Sequence, residues 1–254
     1  WAGQVDGAYA VVHLAGESVA QGRWTQAKTD SIMRSRTNGA IAIGEAVAGA
    51  RNKPSVVLQG SAVGYYGSRG DEILTEDSLP GATFLAEVCE RTEAVGATVQ
   101  KVGVRYVMIR TGMVLGLQGG ALPRLMTPFR FFLGGRIGSG NQWVSWIGLE
   151  DQVRAIRFLL ESPHLAGAFN LTSPHPVTMR HLVRILGGVL HRPAWTMMPG
   201  FVARLALGRM ADEVLLASQK AMPKRLIDAG FEFRYPELKA ALEAIIQGEN
   251  HESR

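Results

Sequence analysis

The sequence predicts an α/β fold: a doubly wound parallel sheet with helices on both faces. Three short apolar runs, 9–14, 56–58 and 102–109, have the composition of strands that are buried on both faces. Two longer stretches between them, 25–48 and 83–97, have the apolar spacing of helices. This alternation of strands and helices is typical of a parallel sheet with right-handed crossover connections.

The composition is that of a folded protein, with 46% hydrophobic and 19% charged residues. The net charge of +5 comes from scattered Lys and Arg residues, so we expect no nucleic-acid partner. No apolar run approaches the roughly 20 residues that span a bilayer, and the first residues do not resemble a signal peptide. We therefore expect no membrane partner and a cytoplasmic location. Cys89 is the sole cysteine and the histidines lack metal-ligand spacing, so no metal site is expected.

The first predicted strand, 9–14, ends at Ala15–Gly16, where small residues let a ligand approach the backbone. Glu17 follows at once. Its carboxylate is either a solvated loop charge or a polar group in the crevice at the strand end. Thr25 is the predicted N-cap of the first helix. Within that helix, Arg36 either faces solvent or faces a phosphate.

The second predicted strand, 56–58, leads into a Gly-rich turn that contains Ser61, Tyr65 and Tyr66. Polar groups at the carboxyl end of such a strand lie where open α/β sheets bind their ligands. The loop 68–80 that follows carries four carboxylates without a histidine beside them. We interpret it as a solvent-exposed loop.

The third predicted strand, 102–109, is followed by the small and polar residues Arg110–Gly112. The Gly-rich segment 116–140 comes next, and the spacing within Gly135–Gly140 is similar to a dinucleotide fingerprint. That motif requires a strand before it and a helix after it, and the sequence predicts neither. Gly135–Gly140 is therefore not interpreted as a phosphate-binding turn.

The rest of the chain is predicted to be mostly helical. Asp151 and Thr178 are predicted N-caps of two helices. The aromatic residues alternate in 230–235, which predicts a half-buried strand. A last amphipathic helix is expected after Pro236.

Six blocks along nearly the whole chain resemble one known family: VVHLAGE (11–17), GSAVGYYG (60–67), FLAEVCERTE (84–93), IRTGMVLG (109–116), 119–147 and GFEFRYPELKAAL (230–242). The blocks 119–147 and 230–242 are the most specific. They are similar to the atypical short-chain dehydrogenase/reductases of the "epimerase family protein" group, which are relatives of the extended nucleotide-sugar epimerases. The resemblance implies a Rossmann-like NAD(P)-binding domain over 1–170. A smaller, mostly helical region over 171–254 would form the substrate side together with 116–147.

The resemblance also implies a set of ligands and binding residues. The expected cofactor is NADP, with NAD as the alternative, and the expected partners are a small-molecule substrate and a second copy in a homodimer. The cofactor would be bound at the strand ends by Leu14, Ala15, Gly16, Arg36, Gly60, Ser61, Ala62, Arg110, Thr111, Gly112 and Val114.

Two departures from the family pattern affect function. The Gly-rich βαβ unit that would hold the pyrophosphate is missing, so we expect further strands before Trp1. Without them a buried strand would become a sheet edge, and an intact mass equal to the 27.5 kDa of this chain would contradict an additional segment. The acid–base pair Tyr-x-x-x-Lys of the wider superfamily is also absent, because Leu85 and Cys89 occupy its positions.

Ser61 matches the superfamily position that hydrogen-bonds the reacting carbonyl or hydroxyl group. In the absence of the usual pair, Tyr65, Tyr66 or Glu17 would have to move the proton. The expected function is an NAD(P)-dependent oxidoreductase or epimerase that acts on an unidentified small molecule. The alternative is an inactive dinucleotide-binding sensor or scaffold, and a third interpretation is an interaction protein whose basic face meets acidic partners.

Overall fold

Strands and helices alternate along the chain in the structure, a computed structural model that describes residues 1–252. The strands are β1 (Ala10–His13), β2 (Val56–Ala62), β3 (Ile73–Leu74), β4 (Arg105–Thr111), β5 (Met113–Leu115), β6 (Gly134–Ile137), β7 (Trp143–Val144), β8 (Trp146–Gly148), β9 (Gly167–Leu171), β10 (Val177–Thr178), β11 (Ala194–Met198) and β12 (Lys220–Ala221). The α-helices are α1 (Gln26–Gly49), α2 (Phe84–Glu93), α3 (Gly96–Lys101), α4 (Leu122–Arg130), α5 (Leu149–Glu161), α6 (Met179–Val189), α7 (Gly200–Leu207), α8 (Lys224–Asp228) and α9 (Leu238–Glu252). Single 3-10 turns lie at Ala2–Val5 and Val63–Tyr66, and a π-helical turn lies at Ala211–Leu215.

The central sheet contains β1, β2, β4 and β9 in that order, and every neighbouring pair is parallel. The connections between these strands run through α1, then through α2 and α3, and later through α5. This confirms the predicted fold class, and β2 lies between β1 and β4. The edge strand β1 leaves Tyr9, Val12 and Leu14 exposed.

Helices cover both faces of the central sheet. On one face Val57 packs with Val47 of α1 and Val99 of α3. On the other face Leu58 and Leu159 of α5 belong to a second buried cluster, to which α8 also contributes. Full burial of each such side chain stabilises the fold by about 1.5–3 kcal/mol. The sheet is therefore wound on both faces, as predicted.

The N-caps of two helices are formed by the predicted residues. Thr25 accepts a hydrogen bond from the backbone N–H of Lys28 at 3.3 Å, and Thr178 accepts one from His181 at 3.3 Å. Each hydroxyl satisfies one of the amide groups that the first turn of a helix leaves without an intrahelical partner.

The prediction that Asp151 caps α5 is wrong, because α5 begins at Leu149. The Asp151 carboxylate is buried and accepts the backbone N–H groups of Arg234 at 2.8 Å and Tyr235 at 2.9 Å. Those hydrogen bonds hold 230–235 against α5 as a loop. The half-buried strand predicted there from alternating aromatic residues is therefore also wrong.

The segment 116–147 shares a hydrophobic core with the C-terminal helices. Phe129 of α4 and Trp146 of β8 lie in one buried cluster with Leu186 of α6 and Leu242 of α9. The segment Gly135–Gly140 begins inside β6 and leads to β7 and β8 rather than to a helix, which agrees with the rejection of the fingerprint. The domain boundaries at 1–170 and 171–254 remain a prediction.

Across residues 1–252, no helix is both long enough and apolar enough to cross a membrane.

Candidate functional site

A row of polar side chains crosses the central sheet near the carboxyl ends of its strands. Ser61 of β2 pairs in register with Arg110 of β4, and Arg110 pairs in register with Asn170 of β9. Residues in register on parallel strands project from the same face of the sheet. The sheet therefore places these three residues side by side at the edge where open α/β sheets bind ligands.

Glu93, the last residue of α2, connects Ser61 to Arg110. The Ser61 hydroxyl donates to Glu93 Oε1 at 2.6 Å. Arg110 donates from Nε to the same oxygen at 3.0 Å and from Nη2 to Oε2 at 2.8 Å. Both charged side chains are less than a tenth exposed. A two-pronged guanidinium–carboxylate pair of this kind has a fixed geometry, so the carboxylate is held rigidly beside the serine.

The sequence reasoning did not identify Glu93 as a site residue. A signal was present, because Leu85, Cys89 and Glu93 are spaced by four residues and so share one face of α2. The first two occupy the positions of the absent Tyr and Lys. Continuing the same face by one turn would have placed a carboxylate beside Ser61.

Arg110 is one of the predicted cofactor-binding residues, and its side chain is engaged within the protein. Besides its two bonds to Glu93, its Nη1 donates to the Tyr66 hydroxyl at 3.1 Å and to the Glu76 carbonyl at 3.1 Å. Its guanidinium also lies 3.5 Å from the centroid of the Tyr65 ring. Arg110 is 5% exposed. Its side chain therefore organises the protein interior, and its part in cofactor binding stays a prediction.

Tyr65 and Tyr66 are adjacent in sequence but have different environments. Tyr66 is fully buried, and its hydroxyl donates to Asn170 Oδ1 at 2.7 Å. Burial raises the pKa of Tyr66 to about 12. Tyr65 is only half-buried, and desolvation raises its pKa even though Arg110 opposes that shift. Both phenols therefore keep their protons at neutral pH, and Tyr65 is the one that reaches solvent.

Glu76 shows that the interpretation of 68–80 as a solvent-exposed loop is wrong at this residue. Its side chain is buried, and Oε1 accepts the backbone N–H groups of Asn170 at 3.0 Å and Arg225 at 3.3 Å. Its other oxygen, Oε2, is buried without a hydrogen-bond partner. Desolvation is the main cause that raises the pKa of Glu76. The loop is anchored because β3 within it pairs with β12.

Glu17, a predicted proton carrier, lies just beyond the end of β1. Its carboxylate forms an ion pair with Lys28, and this hydrogen-bonded pairing lowers the pKa of Glu17. Its backbone N–H donates to Ser35 Oγ at 2.9 Å, and its carbonyl accepts from Arg36 Nη1 at 2.8 Å. Desolvation lowers the pKa of Arg36. Glu17 and Arg36 thus shape the loop after β1 and contact each other rather than Ser61.

The remaining predicted cofactor residues line the strand ends. Leu14, Ala15 and Gly16 are exposed, and Gly60, Ser61, Ala62, Thr111, Gly112 and Val114 are half-buried. A Cβ atom at Gly60 would lie 2.8 Å from the carbonyl oxygen of His13, so β1 and β2 approach closely here. A Cβ atom at Gly112 would lie 2.4 Å from the carbonyl oxygen of Ser145. The protein's own backbone therefore requires the glycine at 112.

Cys89, which the resemblance aligns with the lysine of the superfamily, lies next to Ser61. Its Sγ is 3.8 Å from the carbonyl oxygen of Ala62, and burial raises the pKa of the thiol. A buried neutral thiol does not lower the pKa of a phenol as an ammonium group does. Within residues 1–252, His, Cys, Asp and Glu side chains do not gather in threes as a metal site requires.

Comparisons with known proteins give one consistent result. The model of the NAD dependent epimerase/dehydratase family matches residues 3–171, and a domain of unknown function, DUF1731, matches residues 198–245. An epimerase family protein of Mycobacterium bovis is 41% identical over 233 residues, which covers 92% of this chain and 77% of the relative. A chloroplastic relative from Arabidopsis thaliana is 39% identical, over 97% of this chain and 71% of the relative.

Two solved structures extend this similarity to the fold. Human epimerase family protein SDR39U1, crystallised with NADPH, is 31% identical with a TM-score of 0.88, covering 94% of this chain and 82% of the human one. A nucleoside-diphosphate sugar epimerase from Corynebacterium glutamicum is 31% identical with a TM-score of 0.75, covering 100% of this chain and 51% of that protein.

Proposed function

The chain belongs to the NAD dependent epimerase/dehydratase family, and from this premise we propose that it is an NADP-dependent oxidoreductase or epimerase of the atypical short-chain dehydrogenase/reductase type. Its substrate would be a small molecule with a hydroxyl or carbonyl group. The hydrogen bond of 2.6 Å from Ser61 to Glu93 carries the proposal, because it places a serine and a carboxylate together at the ligand-binding edge of the sheet.

The strand-end surface fits a nicotinamide dinucleotide. Ala15 and Gly16 are small and exposed, and Gly60 and Ala62 are small and half-buried, so backbone is accessible at the ends of β1 and β2. We assign the contact with the dinucleotide to these residues and to Leu14, Arg36, Thr111, Gly112 and Val114. NADP is preferred to NAD because a relative with 31% identity was crystallised with NADPH.

The nicotinamide ring, when bound, would supply the hydride chemistry. Ser61 already donates its proton to Glu93, so its oxygen has only lone pairs to offer. It can therefore accept a hydrogen bond from a substrate hydroxyl and pass the proton towards the Glu93 carboxylate. Arg110 places its positive charge against both oxygens of that carboxylate. This arrangement replaces the absent Tyr and Lys as the proton route.

Tyr65 would donate a hydrogen bond to the reacting oxygen of the substrate in both directions, while the proton moves through Ser61 and Glu93. Its raised pKa keeps the phenol protonated, and its half-buried position lets it reach a ligand. We assign no proton transfer to Tyr66, because its hydroxyl is already engaged with Asn170 and Arg110. Glu17, whose carboxylate is engaged with Lys28, is the alternative proton carrier of the proposal.

The test separates binding from turnover. The protein is titrated with NADPH, followed by nicotinamide fluorescence, and is then mixed with a panel of carbonyl compounds while the nicotinamide absorbance is recorded. Ser61→Ala should leave NADPH affinity within a few fold and lower turnover by about 10²–10⁴-fold, the usual contribution of acid–base groups. The matched control is Ser55→Ala, an exposed serine just before β2, and it should change neither quantity.

The alternative function is a dinucleotide-binding sensor without turnover. The observation that favours it is the buried neutral Cys89 in the position of the superfamily lysine. NADPH binding without any change of nicotinamide absorbance would support the sensor. Absence of NADPH binding at millimolar concentration would instead favour an interaction protein.

A cytoplasmic location and a homodimer also belong to this proposal. Cell fractionation tests the location, and the relative from Arabidopsis thaliana is a chloroplastic protein by its name. Light scattering of the purified protein tests the homodimer.

A further inference from the structure

An exposed apolar surface lies where α4, β6, β11 and α7 meet. We call it the ribbon face and define it as Phe131–Leu133, Trp195, Met197 and the exposed side of α7. Phe131 is 70% exposed and Trp195 is 75% exposed. The Trp195 indole N–H donates to the carbonyl oxygen of Phe132 at 2.8 Å, so the two aromatic residues are neighbours. Exposed apolar patches of this kind mark interaction sites in soluble proteins.

The backbone keeps these side chains in solvent. Phe132 has φ of 59°, in the left-handed region that a bulky residue rarely adopts. Directly after it, β6 pairs with β11, and Thr196 Oγ1 donates to the carbonyl oxygen of Leu133 at 2.8 Å. The three consecutive residues 131–133 are therefore held outward by a paired strand and a constrained turn.

Helix α7 follows β11 after Pro199 and continues the apolar character of the ribbon face. Phe201 and Leu205 are four residues apart, so they lie on one side of the helix, and they are 69% and 76% exposed. Ala203 is the buried residue of this helix. A helix that turns its large apolar side chains towards solvent is typical of helices that lie at a membrane interface.

The border that α4 and β11 form around the ribbon face is positively charged, while Asp212 beside α7 is paired with Arg204. The sequence contains no Asp or Glu between Glu93 and Glu150, or between Glu161 and Asp212. All residues of the ribbon face lie within those two stretches. Arg130 and Arg192 are exposed at its border, and the Arg192 guanidinium lies 4.6 Å from the centroid of the Phe132 ring. The surface is therefore apolar with a cationic border.

Charge decides which partner suits this surface. A second copy that packed through the same face would bring the cationic borders of two chains together, because a two-fold contact uses the same patch twice. Facing like charges are unfavourable. An anionic lipid surface instead pairs the guanidinium groups with phosphates and accepts aromatic side chains at headgroup level.

We propose that the ribbon face docks on an anionic phospholipid surface. The contact is peripheral, so it requires no membrane-spanning helix. It replaces the expectation from the sequence that the protein has no membrane partner. It does not depend on the proposed enzymatic function, because the ribbon face contains none of the residues assigned to the strand-end site.

Vesicle co-sedimentation of the 254-residue chain tests the proposal, with phosphatidylcholine vesicles compared with vesicles that also contain phosphatidylglycerol. We expect binding to the anionic vesicles, weakening as salt is added. Arg130→Gln with Arg192→Gln should weaken it about fivefold for each arginine, the effect of about 1 kcal/mol per basic residue. Phe131→Ser with Leu205→Ser should weaken it by at least about tenfold, because each buried methylene contributes.

A matched control makes the same kinds of change elsewhere. Leu79→Ser with Arg51→Gln removes an exposed leucine and an exposed arginine outside the ribbon face. This variant should bind vesicles like the unmodified chain. All substituted residues are exposed, and the thermal unfolding midpoint of each variant, followed by circular dichroism, checks that the fold is retained.

Three outcomes would overturn the proposal. The first is no binding to either vesicle type, and the second is an equal loss of binding in the control and in the ribbon-face variants. The third is a dimer, seen by light scattering, that Phe131→Ser with Leu205→Ser dissociates, because the face would then be occupied by a second copy.

Discussion

Two glutamates with buried side chains contact Arg110, Glu93 through its carboxylate and Glu76 through its backbone carbonyl, and the protein treats their carboxyl groups in opposite ways. Both oxygens of Glu93 are bound by the guanidinium of Arg110. Glu76 has backbone amide donors on one oxygen and no hydrogen-bond partner on the other. The difference is that, of the two, only the carboxylate beside Ser61 has both of its oxygens bound by a cation. At Glu76 the same fold accepts a carboxyl group whose charge is disfavoured.

The largest loss of stability is expected from removing the guanidinium of Arg110. Arg110→Met leaves the Glu93 carboxylate buried without its partner, and breaking a buried pair in this way costs about 3–5 kcal/mol. The free energy of unfolding in urea measures the loss. Arg157→Met is the matched control, because Arg157 forms an exposed pair with Glu161, and exposed pairs contribute at most about 1 kcal/mol. Equal losses in both variants would mean that Glu93 is not held as a buried charge.

A smaller loss of stability is expected from removing the Tyr66 hydroxyl, which is hydrogen-bonded to both Arg110 and Asn170. Tyr66→Phe removes a donor to Asn170 and an acceptor for Arg110, and leaves both buried groups with one bond fewer. Leaving buried polar groups unsatisfied costs about 1–3 kcal/mol. Urea unfolding again gives the value, and Tyr9→Phe, at an exposed tyrosine, should leave stability unchanged. A loss no larger than that of Tyr9→Phe would contradict the hydrogen-bond network.

The smallest effect is expected at Glu76, where it depends on pH. The pKa of Glu76 is raised above its ordinary value of 4.5 by burial, so the folded state binds the proton more tightly than the unfolded state. Its contribution to stability is therefore full below that pH and is lost as the pH rises through the folded pKa. Glu76→Gln removes this dependence.

Urea unfolding at about pH 4 and about pH 7 should therefore show the variant gaining stability relative to the unmodified protein as the pH rises. Glu45→Gln, at an exposed position on α1, allows the general effect of losing one carboxylate to be subtracted. A relative stability of Glu76→Gln that falls with rising pH would contradict the raised pKa.

Local patterns predicted the elements whose stabilising contacts are close in sequence. Thr25 and Thr178 were identified as N-caps because a cap bonds an amide only three residues away. The buried strands could be recognised from uninterrupted apolar runs, and Ser61 from its place after such a run. Asp151 has the same N-cap chemistry, yet its partners are the distant amides of 234 and 235, so the local rule failed there.

The sequence by itself determined the alternation of strands and helices, the order of the first three strands, and Ser61 at the end of the central one. Those features follow from hydrophobic periodicity and short-range backbone chemistry. The three-dimensional packing was needed to show that Glu93 meets Ser61 from 32 residues away, that Arg110 binds the Glu93 carboxylate, and that Glu76 is buried against the amide of Asn170, 94 residues distant. The physical reason is that a charge is buried only where distant chain segments supply its partners, and no periodicity records which segments will meet.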